Sequence, residues 1–168
     1  MKIKFLGAAQ TVTGSKYLLT TKSGSQLLID CGLFQGFKSL RLKNWQAIPC
    51  NGAQNVILTH AHLDHSGALP LLIKQGFAGP IYCTPATAAL CRILLPDAAY
   101  LQEEEARFAN KHKFSKHDPA LPLFTQKDAE VALRHLKPTE FYTKTTLPGG
   151  EDFQFIPAGH LLGAASVR

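Results

Sequence analysis

The sequence predicts an α/β domain. Three observations carry that prediction. Short apolar runs bounded by turn residues recur along the chain, and segments with helical patterning separate them. A long helical stretch opens at Thr84-Pro85, a capping threonine followed by a proline at the first helical position. The 168 residues are 45% hydrophobic and 18% charged, a globular composition rather than a disordered or membrane-embedded one.

Each element follows in order. Residues 3–8 read as an opening strand. Residues 16–21 and 26–30 read as a hairpin around Lys22-Ser23-Gly24-Ser25. Residues 32–44 read as a glycine-containing loop with a short helix from Lys38. Residues 55–59 form a short apolar strand, and residues 66–75 a helix behind it. Residues 79–83 read as another strand. The helix capped by Thr84 reaches about Lys113 and is expected to break at Pro96. Thr125 caps a second helix over 126–136, which stops before Pro138. Strands are expected at 141–143, 153–156 and 164–168.

Composition narrows the function classes. Lysine plus arginine number 18 and aspartate plus glutamate 12, a formal charge of +6 that is compatible with a polyanionic partner. The cysteines at 31, 50, 83 and 91 form no Cys-x-x-Cys pair, so they read as free buried thiols in a reducing compartment. The first residues, MKIKFLGAAQ, contain no apolar run of signal-peptide length, and no stretch reaches the ~18 apolar residues of a membrane span. A cytoplasmic protein is expected, without membrane association.

The chemistry concentrates in Thr59-His60-Ala61-His62-Leu63-Asp64-His65, three histidines and an aspartate within six residues, directly after an apolar strand. On an extended segment alternate side chains share a face. His60 and His62 therefore point together, Asp64 keeps their parity while the extension lasts, and His65 falls at the turn into the next helix. The set divides into two donors for one metal ion and two for a neighbour. Imidazole with carboxylate suits zinc, manganese or iron better than calcium or magnesium. Ordinary surface histidines do not account for four donors in this pattern, although a lone histidine would.

His-x-His-x-Asp-His after a short apolar strand resembles the signature of the metallo-β-lactamase superfamily. Leu28-Ile29-Asp30-Cys31-Gly32 is similar to its first motif and Pro157-Ala158-Gly159-His160 to its third. Gly7-Ala8-Ala9-Gln10-Thr11-Val12-Thr13-Gly14-Ser15 resembles the opening loop of the β-CASP branch, the RNA- and DNA-processing nucleases. Asp30-Cys31-Gly32-Leu33-Phe34-Gln35-Gly36, Gln102-Glu103-Glu104-Glu105 and Gly159-His160-Leu161-Leu162-Gly163-Ala164 are similar to that branch as well.

The resemblance implies an αββα sandwich, of which this chain would be the N-terminal portion, a mixed sheet flanked by helices. It implies a zinc-dependent ribonuclease cleaving RNA phosphodiesters with a metal-activated hydroxide. His60, His62 and His160 would hold one ion, Asp64 and His65 would serve a second, and Asp64 would also orient the attacking water. Asp30 would stand behind a histidine ligand and fix its tautomer. Two neighbouring ions suit phosphodiester hydrolysis, and no serine or cysteine nucleophile is needed.

The chain departs from the family pattern in stopping at Arg168, eight residues after His160. The family's bridging aspartate, its β-CASP insertion and its late histidines have no counterpart here. Residues 1–168 are therefore expected to form an incomplete domain, inactive alone, holding one ion well at most, and either self-associating through an uncovered apolar face or marginally stable. Ser15, Lys16 and Lys38 are placed near the substrate by chain order. The basic run Arg107, Lys111, His112, Lys113, Lys116 and His117 reads as an exposed helix end around two core phenylalanines, Phe108 and Phe114, in preference to a phosphate track. Trp45 reads as packing. The alternatives are a thioesterase- or lactonase-type hydrolase of the same superfamily and a non-catalytic homologue that binds nucleic acid or a partner protein.

Overall fold

The computed structural model describes residues 1–50 and 52–168. Its centre is a six-stranded mixed sheet. Strands β1 (Lys2–Phe5), β2 (Tyr17–Thr20) and β3 (Gln26–Ile29) pair antiparallel. Strands β4 (Ala53–Ile57), β5 (Ile81–Cys83) and β6 (Leu136–Pro138) continue beside β3 in parallel, in the order β1-β2-β3-β4-β5-β6. Between β3 and β4 lie a single helical turn, α1 (Lys38–Arg41), and a 3₁₀ turn, Leu42–Trp45. Helices α2 (Leu63–Ser66), α3 (Leu69–Lys74), α4 (Pro85–His112) and α5 (Gln126–Arg134) fill the connections between the parallel strands. Two strand pairs complete the chain: β7 (Thr145–Thr146) with β8 (Asp152–Phe153), and β9 (Phe155–Pro157) with β10 (Ala165–Val167).

The period-two alternation of the strands sorts the core into two layers. Leu28, Val56, Leu58, Ile81 and Cys83 pack under the helices with Leu69, Leu72, Cys91, Leu95 and Phe124. Leu27, Ile57 and Tyr82 point to the other face and pack on Leu147, Phe153 and Phe155 from the strand pairs. Toward the β1 edge that second face stays open. A groove of about 1070 Å³ runs over Leu19, Ile29 and Val167, and Ile3 and Phe5 at its rim are 54% and 63% exposed. All four cysteines are free and buried. Among the described residues no helix is long and apolar enough to cross a membrane.

Several elements differ from the sequence expectation, each for a physical reason. The opening strand ends at Phe5 because the backbone turns into the left-handed region at Ala8, with φ 50°. The expected helix over 66–75 is two helices, and the first begins at Leu63. Helix α4 runs 28 residues through Pro96 without a break. A helix-interior proline costs about 3 kcal/mol, but Cys91, Leu95, Ala98 and Ala99 on both sides of it are buried against the sheet and keep the two halves in register. Helix α5 stops at Arg134 so that Leu136 can join the sheet beside Ile81. Its start follows the sequence: Thr125 and Asp128 form a capping box. Residues 141–143 form a turn rather than a strand, with Tyr142 at φ 61°. The expected strand over 153–156 is shared between β8 and β9.

Candidate metal centre

The site forms where β3 and β4 end. Asp30 closes β3 with φ 57°, a left-handed conformation that short polar side chains tolerate best. This turn aims its carboxylate across to the end of β4, where it is only 2% exposed. Oδ1 accepts from the Thr59 amide at 2.8 Å, and Thr59 Oγ1 donates to the same carboxylate at 2.9–3.0 Å. Oδ2 lies 2.7 Å from His65 Nδ1 and 3.5 Å from Ser15 Oγ.

From Leu63 the segment is helical rather than extended. His62 is the N-cap of α2, so Asp64 and His65 project from a helical turn and strand parity does not place them. Tertiary hydrogen bonds impose this curl. Ser15 N donates to the Asp64 carbonyl at 2.8 Å, Cys31 N to that of His65 at 2.7 Å and Leu33 N to that of Leu63 at 2.9 Å. Gly32 permits the approach, since a Cβ there would overlap the Asp64 carbonyl.

His160 arrives from the far end of the sequence, on the loop between β9 and β10. Ala158 N donates to the Ala164 carbonyl at 3.0 Å, closing that loop. Thr84 and Thr87, at the start of α4, donate their hydroxyls to the Gly163 carbonyl at 2.7 and 3.0 Å. His160 Nε2 comes 3.3 Å from His62 Nδ1 across 98 residues of sequence. The rings of His60, His62 and His160 stand 5.0 Å apart in every pairing.

One nitrogen from each of these three rings falls within 4.8 Å of the others, a donor set that could hold a metal ion. Two imidazole nitrogens on one tetrahedral ion at 2.0–2.1 Å would be about 3.3 Å apart, so the spacing between His62 and His160 fits a shared cation. His60 is buried, and His62 and His160 are exposed, which leaves the mouth open on one side. Burial, reinforced by the neighbouring His65, pushes His60 down to about 4, so its imidazole is neutral at physiological pH and keeps a lone pair. Thr59 Oγ1, 3.0 Å from His60 Nδ1, already donates to Asp30 and can only accept there. His60 therefore carries its proton on Nδ1 and presents Nε2 to the mouth.

Beside the three imidazoles lies the Asp30–His65–Asp64 row. His65 Nε2 is 3.8 Å from Asp64 Oδ2. Burial disfavours the charged form of His65, but the hydrogen bond and charge of Asp30, joined by Asp64, outweigh it and raise its pKa. The rings of His60 and His65 stand 3.9 Å apart, so the two groups of donors adjoin.

The structure thus gathers His60, His62, Asp64, His65, His160 and Asp30 around one opening. It does not bring in Lys16 or Lys38. Lys16 is buried, donates from Nζ to the Gly32 and Gly14 carbonyls and lies 4.4 Å above the Phe34 ring. Lys38 is exposed on α1. Sequence reading missed Thr59, Thr84, Thr87 and Gly163. The one available signal was the hydroxyl residue immediately before His60.

The family model of the metallo-beta-lactamase superfamily matches residues 11–161, and the chain belongs to that superfamily. Ribonuclease TTHA0252 of Thermus thermophilus is 40% identical over 167 residues, covering 99% of this chain and 34% of that protein. Transcription termination factor FttA of Methanosarcina mazei is 33% identical, with 98% and 24% covered. Cleavage and polyadenylation specificity factor 73 of Drosophila melanogaster is 32% identical, with 98% and 22% covered. The chain spans about a third or less of the length of these relatives. Among solved structures, a metallo-beta-lactamase of Cronobacter sakazakii superposes with a TM-score of 0.53 at 22% identity, covering 98% of this chain and 55% of that one. BJP-1 of Bradyrhizobium japonicum gives 0.52 at 20%, with 98% and 52% covered. These two show the shared fold, an α/β layering with a mixed sheet flanked by helices.

Proposed function

We propose that this chain carries the metal-binding face of a hydrolase that cleaves RNA phosphodiesters, with His60, His62 and His160 holding a divalent cation. The observation that carries this reading is the convergence of three imidazoles, one of them 98 residues distant, beside the Asp30–His65–Asp64 row. Zinc is the cation best suited to a three-imidazole set with an open side. When bound, such an ion supplies Lewis acidity toward a phosphoryl oxygen and makes a water molecule more acidic.

The residues around it have separate tasks. Thr59 accepts from His60 Nδ1 and so keeps Nε2 directed at the mouth. Asp30, anchored by the Thr59 amide and hydroxyl, accepts from His65 Nδ1 and leaves Nε2 facing Asp64. Asp64, half-buried at the rim, is the carboxylate that takes a proton from the attacking water. His65 and Asp64 together offer donors toward a second ion, and the buried Asp30 fixes the tautomer of the histidine member.

Cleavage of a labelled single-stranded RNA by the protein that contains this chain, with and without a chelator, tests the reading. Cleavage that the chelator abolishes and that Asp64→Asn lowers at least a hundredfold supports it. Hydrolysis of thioesters or lactones with RNA left intact would replace it with the small-molecule reading.

A further inference from the structure

The far end of α4 carries a surface that the metal centre does not use. Phe108 and Phe114, expected in the core, are 56% and 64% exposed, and Trp45, expected to pack, is 60% exposed. With Leu121 they line one groove of about 520 Å³ between the 3₁₀ turn at Leu42–Trp45 and the end of α4. Phe108 stands 5.8 Å from the Phe114 ring at a tilt of 59°, and 4.3 Å from that of His112.

The charged lining of the groove is two cations and one carboxylate. Residues 31–63 hold Lys38, Arg41 and Lys43 and no acidic residue. Beyond the groove, at the end of α4, residues 111–116 hold Lys111, Lys113 and Lys116, while Arg107 is paired with Glu104 at 2.5 Å. Lys38 and Arg41 line the groove itself, with Glu105 as its single acidic member. Exposed aromatic faces beside the Lys38 and Arg41 cations match a polyanion whose units also stack, because every base has a π-face and every linkage a phosphate.

We propose that this groove binds single-stranded RNA, with bases stacked on Trp45, Phe108 and Phe114 and phosphates on Lys38 and Arg41. The inference rests on the RNA reading above and adds a binding surface separate from the metal centre. Thr84, which touches the His160 loop, and Phe108 are 24 residues apart on α4, about 36 Å at 1.5 Å per residue. Only a strand long enough to cover that distance could occupy both places.

Trp45 is the sole tryptophan, so its fluorescence reports on the groove directly. The test titrates the chain with a 5′-labelled single-stranded oligouridylate in the presence of a chelator, following anisotropy and Trp45 emission together. Binding in chelator is independent of cleavage, so this inference and the proposed activity can fail separately. The expected result is binding that quenches Trp45, weakens with salt and prefers single strands to a duplex. Phe108→Ala with Phe114→Ala should weaken it at least tenfold, and Lys38→Glu with Arg41→Glu at least as much. These side chains are exposed, so folding should be retained; should a variant misfold, the Trp45 titration of the unmodified chain still decides. Oligouridylate that leaves Trp45 emission unchanged overturns the proposal. Emission that shifts with protein concentration and ignores RNA also overturns it, and assigns the groove to contact between protein chains.

Discussion

Thr84 and Gly163 are joined by a 2.7 Å hydrogen bond from the threonine hydroxyl to the glycine carbonyl, across 79 residues. This bond ties the His160 loop to the first turn of α4. The position admits only glycine, because its φ is 81° and a Cβ would lie 2.6 Å from the Thr87 amide and 2.7 Å from Thr84 Oγ1. Gly163→Ala should destabilise the chain by about 1–3 kcal/mol, the usual cost of a strained backbone position, read as a lower denaturation midpoint. It should also weaken metal binding, since the loop that carries His160 is displaced. Unchanged values of both would show that the loop does not need this anchor.

The three-imidazole assignment makes a direct prediction. His160→Ala removes one of the gathered donors, and its effect should exceed the ~10–100-fold affinity loss typical of residues behind the ligands. Competition with a chromogenic zinc chelator measures it. His135, whose Nδ1 faces the Gly79 carbonyl away from the site, is the control, and His135→Ala should leave zinc affinity as it was.

Asp30→Asn tests the row behind the imidazoles. The carboxylate collects the Thr59 amide, the Thr59 hydroxyl and His65 Nδ1. An amide of the same shape turns an NH₂ toward at least one of these donors. Hydrogen bonds to charged groups contribute about 1.5–3 kcal/mol each, so a loss of at least that size is expected in chemical denaturation. Zinc affinity should fall ~10–100-fold, because Thr59 no longer holds His60 in place. A variant that keeps wild-type zinc affinity would separate Asp30 from the metal centre.

Alkaline stability follows from the buried thiols. Burial pushes Cys31, Cys83 and Cys91 up to about 12 from an ordinary 9.0. Above pH 9 the unfolded chain releases protons that the folded chain retains. The thiol contribution is therefore complete below pH 9 and is lost as the pH rises toward 12. Lys16 acts in the opposite sense, since burial lowers its pKa below 10.5 and favours folding as it loses its proton. Burial raises Cys50 as well, and four thiols against one amine leave a net decline. Denaturation midpoints between pH 9 and 11 should fall, and Cys83→Ala should make the fall shallower. A flat profile for the unmodified chain would contradict this.

Much of the site was legible because its chemistry is local in sequence. His60, His62, Asp64 and His65 lie within six residues, and their crowding after an apolar strand is visible without coordinates. Asp30 and His160 were legible only through motif resemblance, since nothing in their immediate neighbours names a partner. Strand parity stops placing Asp64 after His62, where amides of Ser15, Cys31 and Leu33 curl the chain. The error over Pro96 arose from a propensity rule that tertiary burial overrides, and that over Phe108 and Phe114 from treating aromatic side chains as core by default.

By itself the sequence determined the α/β class, the caps at Thr84 and Thr125, the buried thiols and the donor types available for a cation. These depend on periodicity, side-chain chemistry and short spacing, all of which act between near neighbours. The tertiary structure alone decided which nitrogens meet, that Thr59 and Asp30 orient the histidines, that Thr84 and Thr87 hold the His160 loop, and that Trp45, Phe108 and Phe114 share one groove. Those relations are set by packing and hydrogen bonds across as many as 98 residues, such as the approach of His160 to His62, and no local preference encodes that distance.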